Sequence, residues 1–134
     1  LMTEDGEPFF WLGDTGWLLF NKLNRAEAET YLEDRKQKGF NVVQAMVLHT
    51  VPSVNVYGDS SLINANIATP DTTAGNNLQD SLAYDYWDHL DFIIDKASEK
   101  GIYMALVPVW GTNVKDGKVS VAQAEQYAKF LAKR

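Results

Sequence analysis

Five side chains in this sequence could together bind a polar, ring-shaped ligand. Asp14 and His49 can hydrogen-bond hydroxyl groups through a carboxylate and an imidazole. The indoles of Trp17 and Trp110 and the phenol ring of Tyr57 can cover the apolar face of a ring. Polar groups combined with aromatic faces are the chemistry that a sugar-binding pocket needs. The sequence predicts that these residues lie near one edge of a sheet.

Each candidate also has a structural interpretation. Asp14 could cap the helical turn that follows it or bond backbone amides, because aspartate is common at helix starts. A single histidine is often a hydrogen-bonded structural residue, and only its place at a strand end favours a ligand role for His49. Trp17 and Trp110 could be wedges between a helix and the sheet.

Several other kinds of site lack the sequence patterns they require. Neither G-x-G-x-x-G nor a Walker loop is present, and no serine lies in G-x-S-x-G. Residues 71–80 lack the alternating carboxylates and central glycine of a calcium loop. The chain has two histidines and no cysteine, which makes a zinc site improbable. We therefore predict neither a cofactor nor a metal.

The elements that would position these residues are indicated by a junction that occurs twice. A helical stretch ends in Lys38-Gly39 and again in Lys100-Gly101, and an apolar run follows directly at 40–48 and at 102–109. Glycine closes a helix in the left-handed conformation, and lysine there meets the negative end of the helix dipole. Repeated helix-to-strand returns predict a parallel α/β sheet. A third helix is predicted at 120–134.

The first strand is predicted at 8–15, so that Asp14 lies at its carboxyl end. Asn24 with Glu27 three residues later has the spacing of a capping box, which predicts a helix start. Between the second strand and the second helix, residues 49–83 form a long polar segment without periodicity, whose asparagines are predicted turn formers.

The second helix is predicted to begin at Asp85, its N-cap. Trp87 lies on the apolar stripe of this helix and is predicted to be in the core. His89 falls on the other side of the helix and is predicted to be exposed to solvent. Residues 111–117 are predicted to form a polar loop.

Length and charge limit the remaining possibilities. A closed (β/α)8 barrel takes roughly 250 residues, so the 134 residues of this chain would supply about three of the eight units. A formal net charge of −6 argues against nucleic acid or an anionic membrane surface as a partner. No apolar stretch approaches the roughly 18 residues of a membrane span, and the first residues lack the basic start and apolar run of a signal peptide.

Five segments, in order and spanning almost the whole chain, resemble the apiosidase-like glycoside hydrolases (glycoside hydrolase family 140). They are FFWLGDTGW at 9–17, YLEDRKQKGFNVVQ at 31–44, NVYGD at 55–59, YWDHLD at 86–91 and ALVPVWG at 105–111. The resemblance implies a (β/α)8 catalytic barrel. Characterised members of the family release apiose from a pectic polysaccharide, so it also implies a carbohydrate substrate.

The resemblance also implies where the catalytic groups belong. Barrel glycosidases of this kind place the acid/base carboxylate after strand four and the second carboxylate after strand seven, and both are expected beyond Arg134. Within the chain, Asp14, His49 and Trp110 would contact the sugar, with Trp17 and Tyr57 as weaker candidates. The remaining half of the barrel is then an obligatory partner, and an exported protein is expected.

Two alternatives remain open from the sequence. The first is a carbohydrate-binding barrel that has lost catalysis, which the downstream carboxylates would distinguish from an enzyme. The second is a complete small α/β domain of the flavodoxin type, for which the phosphate-binding loop is missing.

Overall fold

The computed structural model describes residues 1–134, and its centre is a sheet of three parallel strands. The strands are β1 (Gly13–Thr15), β2 (Val42–Leu48) and β3 (Tyr103–Val109). Both strand pairs are parallel, which confirms the arrangement predicted from the repeated Lys-Gly junctions. The chain therefore holds about three βα units of an α/β fold.

The order of the strands excludes the flavodoxin-like alternative. In a flavodoxin-type sheet the first strand lies between the second and the third. Here β2 lies between β1 and β3, so that the order in the sheet follows the order in the chain. Successive neighbouring strands are what one part of a barrel wall requires.

The helices begin where the capping residues predict. Asn24, Asp85 and Ser120 each accept a hydrogen bond from the backbone of the first helical turn and complete a capping box. The segment after β3 differs from the prediction of a loop, since residues 111–115 form a short helix. The helices are α1 (Leu19–Lys22), α2 (Arg25–Gln37), α3 (Tyr86–Glu99), α4 (Gly111–Lys115) and α5 (Val121–Lys133), with one 3₁₀ turn at Ile63–Ala65.

The Lys-Gly junctions have the geometry that the sequence predicted. Gly39 and Gly101 adopt φ of +82° and +73°, in the left-handed region that favours glycine. The Lys100 ammonium also reaches Glu33 of α2 at 2.7 Å and so connects the ends of two neighbouring helices. Each junction thus ends its helix and directs the chain into the next strand.

One face of the sheet packs against the helices. Val43, Ala45 and Val47 of β2 are fully buried on this face, in the same apolar cluster as Leu32 of α2 and Trp87 of α3. The prediction that Trp87 is a core residue is confirmed. Burying a large apolar side chain contributes roughly 1.5–3 kcal/mol, so this face accounts for much of the stability of the sheet.

The first strand is shorter than the predicted 8–15. Ahead of Gly13, the side chain of Asn41 adds to the backbone pairing: its Nδ2 donates to the Phe10 carbonyl at 2.6 Å. Its Oδ1 accepts from the Leu12 amide at 2.9 Å. Residues 10–12 are therefore attached to the start of β2 through this side chain and through the Leu12 carbonyl, which accepts from the Asn41 amide at 3.0 Å and from the Val42 amide at 3.3 Å.

The prediction that His89 is solvated is wrong, since its side chain is fully buried. Its Nδ1 lies 3.0 Å from the Tyr84 hydroxyl, and its Nε2 lies 3.0 Å from the Leu23 carbonyl. Burial lowers the pKa of His89 below its ordinary value, although the Leu23 carbonyl opposes the shift. The long segment before α3 packs over the side of α3 that carries His89. The spacing of apolar residues within α3 does not indicate that another segment packs there.

The long segment 49–83 contains short antiparallel bridges, at Val54–Ser60 and Leu62–Pro70. Its asparagines form turns as predicted; for example, Asn55 Oδ1 accepts from the backbone amides of Tyr57 and Asp59. No helix of the structure combines the length and apolarity that a membrane crossing requires.

A tight turn at Asn64 and Ala65 carries backbone strain. Both residues have positive φ, of 51° and 55°, and the amide of Asn66 donates to the Ile63 carbonyl at 3.1 Å. Asparagine tolerates this conformation, whereas the Cβ of alanine makes it unfavourable by roughly 1–2 kcal/mol.

Ala65→Gly should therefore raise the free energy of unfolding by about 1 kcal/mol, because glycine adopts positive φ without the steric cost. The measurement is urea or thermal unfolding of the protein. Ala68→Gly is the matched control, since Ala68 lacks positive φ and should lose stability on the same change. Equal effects of the two substitutions would contradict strain at Ala65.

Candidate functional site

Two of the predicted residues leave the sheet side by side at its carboxyl edge. Leu48 and Val109 are paired in register as the last residues of β2 and β3, and His49 and Trp110 follow them directly. The Trp110 amide donates to the Leu48 carbonyl at 2.9 Å, which fixes the backbone of Trp110 beside the end of β2. His49 and Trp110 therefore occupy the edge at which α/β barrels bind their ligands.

Trp17 reaches the same edge from β1. Beyond β1 the chain continues beside β2, because the Trp17 carbonyl accepts from the Met46 amide at 3.2 Å. The indole rings of Trp17 and Trp110 lie 5.8 Å apart with an interplanar angle of 57°. Each of the two residues is 39% exposed, so both rings are accessible. We call Trp17, His49 and Trp110 the rim cluster.

His49 lies at the end of the central strand and is partly buried. Its backbone carbonyl accepts from the Nδ2 of Asn113 at 3.0 Å. The Nδ1 of its imidazole is buried and has no hydrogen-bond partner in the chain. Unpaired buried polar atoms are uncommon in proteins and are enriched at functional sites. The imidazole is therefore not fixed by a structural hydrogen bond through Nδ1.

Asp14 does not share this edge, so the prediction that it lies with His49 and Trp110 is wrong. Asp14 is in register with Val43, near the start of β2. At about 3.3 Å per residue, it lies about 16 Å before Leu48 along the strand. Paired residues of parallel strands point to the same face, and Val43 faces the helices. Asp14 therefore points towards α2.

The Asp14 carboxylate is bound by groups of the chain itself. Its Oδ1 accepts from the Thr15 amide at 2.7 Å. Its Oδ2 accepts from the Tyr31 hydroxyl at 2.9 Å and from Nη1 of Arg35 at 2.7 Å. Partial burial raises the pKa of Asp14, but these donors more than offset that effect and hold the pKa below its ordinary value. The carboxylate joins β1 to α2.

Tyr57 belongs to a different cluster, beside the start of α2. Its hydroxyl accepts from the Arg25 amide at 3.0 Å, and the Arg25 guanidinium lies 5.1 Å from the centre of its ring. The ring also meets His89 edge-to-face at 5.2 Å. A cavity of about 210 Å³ beside Tyr57 is lined by Arg25, Asp59 and Tyr84, among others, and by no residue of the rim cluster.

Three residues that matter for this arrangement were not predicted. Tyr31 and Arg35 bind Asp14, and Asn113 binds the backbone at the carboxyl edge. A signal for Arg35 was available: it lies four residues after Tyr31 and three after the buried Leu32, so it falls near the inner face of α2. An arginine there requires a buried or partly buried acceptor. No comparable signal identifies Asn113.

The rim cluster offers two accessible indoles, and the backbone of His49 lies beside that of Trp110. Such an arrangement can stack on the C–H face of a sugar ring and hydrogen-bond its hydroxyl groups. No group of three or more histidine or acidic side chains is placed to hold a metal ion.

Asp14→Asn should lower the free energy of unfolding at neutral pH by about 2 kcal/mol, the usual worth of hydrogen bonds to a charged group. The lowered pKa means that the contribution of Asp14 is complete above the ordinary carboxyl pKa and is lost as the pH falls through the lowered value. Urea unfolding at several pH values should show a weaker acid dependence in the variant than in the unmodified protein, because Glu33 and Asp34 also have lowered pKa values and remain in both.

The control for this prediction is Asp34→Asn. Asp34 pairs with the same Arg35 but is 41% exposed, so the change should cost less stability than Asp14→Asn. A larger loss from Asp34→Asn than from Asp14→Asn would contradict the structural role of Asp14.

Comparisons with known proteins agree with the fold. The chain is 47% identical to a solved protein described as a glycoside hydrolase, with a TM-score of 0.85 over 98% of this chain and 28% of that one. It is 44% identical to a glycoside hydrolase family 5 protein from Bacteroides vulgatus ATCC 8482, with a TM-score of 0.89 over 99% of this chain and 27% of that one. No curated protein matches the chain.

The chain thus spans little more than a quarter of the solved proteins that it resembles. The family model for the apiosidase-like catalytic domain matches residues 1–134. The chain belongs to the apiosidase-like glycoside hydrolase family, as part of its catalytic domain.

Proposed function

We propose that the chain is the first part of a (β/α)8-barrel glycoside hydrolase and that its rim cluster binds a sugar ring of the substrate. One observation carries this proposal: Trp17 and Trp110 place two accessible indoles 5.8 Å apart at the carboxyl edge of a parallel sheet. In barrel enzymes the loops at this edge form the active site. His49 supplies a polar group between the strands that carry the two indoles.

The catalytic carboxylates belong, on this proposal, to strands four and seven, outside the three strands described here. Hydrolysis of a glycosidic bond requires two carboxyl groups that flank the bond. Asp14 is no substitute, because its carboxylate points to α2 and is occupied by Tyr31 and Arg35. Family membership supports an O-glycosyl hydrolase that acts on plant-type or host polysaccharides after export.

Neither Asp14 nor Tyr57 is included in the proposed sugar site. Both form contacts within the chain that explain them without a ligand, whereas the two indoles of the rim cluster remain open. A carbohydrate-binding barrel without catalysis would use the same rim cluster. Sugar binding without turnover by the whole protein would support that second function.

Trp110→Ala in the whole protein should raise KM for the polysaccharide about 3–10-fold, since an aromatic stack is worth roughly 0.5–1.5 kcal/mol. Trp17→Ala should act in the same direction. The control is Trp11→Ala, because Trp11 is 52% exposed but lies ahead of β1, near the opposite edge. Steady-state kinetics on pectic oligosaccharides measure the effect. An unchanged KM in both rim variants would remove the proposed sugar site.

The isolated chain of residues 1–134 should hydrolyse no glycoside above background. Both catalytic carboxylates would be missing from it, and general acid–base assistance alone contributes roughly 10²–10⁴-fold. The assay compares the isolated chain with the whole protein on aryl glycosides and pectic oligosaccharides. Turnover by the isolated chain would place a catalytic carboxylate in this part of the protein instead.

A further inference from the structure

We infer that Asn113 is a positioning residue for the rim cluster: its side-chain amide sets the relation between His49 and Trp110. This inference rests on the proposed function, in which the rim cluster binds a sugar ring. Asn113 lies in α4, three residues after Trp110, and is 3% exposed. At that burial its side chain is directed to the protein rather than to a ligand.

The Nδ2 group of Asn113 joins two strands beyond the point at which their pairing ends. It donates to the His49 carbonyl at 3.0 Å and to the Trp110 carbonyl at 3.1 Å. The last backbone hydrogen bond between these strands is the one from the Trp110 amide to the Leu48 carbonyl. Past this bond, the side-chain amide of Asn113 holds the His49 and Trp110 carbonyls together across the two strands.

The chemistry of this contact is specific for a primary amide. Two carbonyl oxygens brought to one point require two N–H donors on the same atom, which the NH₂ group of asparagine provides. Aspartate has the same shape but would present a carboxylate to both carbonyls and repel them. Alanine would leave the His49 carbonyl without this donor, and unsatisfied buried acceptors are costly.

Backbone hydrogen bonds at α4 keep the side-chain amide of Asn113 in place. The backbone amide of Asn113 donates to the Trp110 carbonyl at 3.0 Å, and the Lys118 backbone amide donates to the backbone carbonyl of Asn113 at 3.0 Å. The Trp110 carbonyl therefore receives two hydrogen bonds from one residue. Loss of the side-chain donor should leave α4 attached to Trp110 but release it from His49, so that the two rim residues can move apart.

The expected result is a change in substrate binding that exceeds the change in stability. Positioning errors of about 1 Å can reduce the rate up to 10²-fold. A stacking group that holds the substrate equally well before and during reaction affects KM more than kcat. Asn113→Asp and Asn113→Ala should therefore lower kcat/KM by up to about 10-fold, as much as loss of the Trp110 indole, mainly through a higher KM.

The chain offers a matched control in Asn41. Its side chain also joins two chain segments through the backbone, from β2 to residues 10 and 12, but at the amino edge of the sheet. Asn41→Ala also removes two side-chain hydrogen bonds and should lower stability, but by less than Asn113→Ala because Asn41 is only partly buried. It should leave KM unchanged, because the amino edge lies at the far end of β2 from the rim cluster.

The experiment uses the whole protein with the variants Asn113→Asp, Asn113→Ala and Asn41→Ala. It measures kcat and KM on pectic oligosaccharides and the thermal midpoint of each variant. A rise in KM for both Asn113 variants at unchanged KM for Asn41→Ala supports the inference. Wild-type KM in either folded Asn113 variant, or equal changes in KM for Asn113→Ala and Asn41→Ala, overturns it.

A second measurement needs no substrate and separates this inference from the proposed function. Two indoles in close contact give a pair of circular-dichroism bands of opposite sign, a couplet. The part of this signal that disappears in Trp17→Phe is the contribution of the Trp17–Trp110 pair. That contribution should shrink in Asn113→Asp and persist in Asn41→Ala. A protein that binds and cleaves no sugar would refute the proposed function, whereas an unchanged couplet in Asn113→Asp would refute the positioning role.

Discussion

Parallel pairing of β2 with a strand on each side is the constraint on which this structure depends. Because β2 is the central strand, its register decides where every neighbouring residue lies along the sheet. Its last residue is level with Val109, and so His49 and Trp110 emerge together. Its second residue is level with Asp14, which therefore stays far from that edge. Burial of β2 between neighbours explains why it is almost continuously apolar.

Three polar side chains connect segments in addition to the backbone pairing of the sheet. Asn41 does so at the amino end of β2, and Asn113 does so at the carboxyl end. Asp14 joins β1 to α2 in the same manner, through Tyr31 and Arg35. Buried polar groups tolerate burial only when they are hydrogen-bonded. Each such residue therefore specifies one arrangement of its two segments, which apolar contacts alone would define less sharply.

The features that the sequence predicted correctly are those with local causes. The capping box at Asn24, the N-cap at Asp85 and the two Lys-Gly junctions depend on neighbouring residues, and the structure confirms all of them. No sequence pattern near Asp14 indicates which face of the sheet its side chain takes. The run before it is apolar without alternation, so no period of two shows which face Asp14 takes. The burial of His89 and the contacts of Asn113 likewise depend on segments that are distant in the chain.

The buried imidazole of His89 makes one corner of the molecule sensitive to acid. Its pKa lies below 6.5 in the folded protein, mainly through burial, with the Arg25 guanidinium acting in the same direction and Asp59 opposing it. An unfolded chain therefore takes up the proton first, and stability declines as the pH falls below about 6.5. The same imidazole contacts Tyr57 of the long segment and Tyr84, which directly follows that segment. Mild acid should consequently loosen that segment from the start of α2 while the three-stranded sheet stays intact.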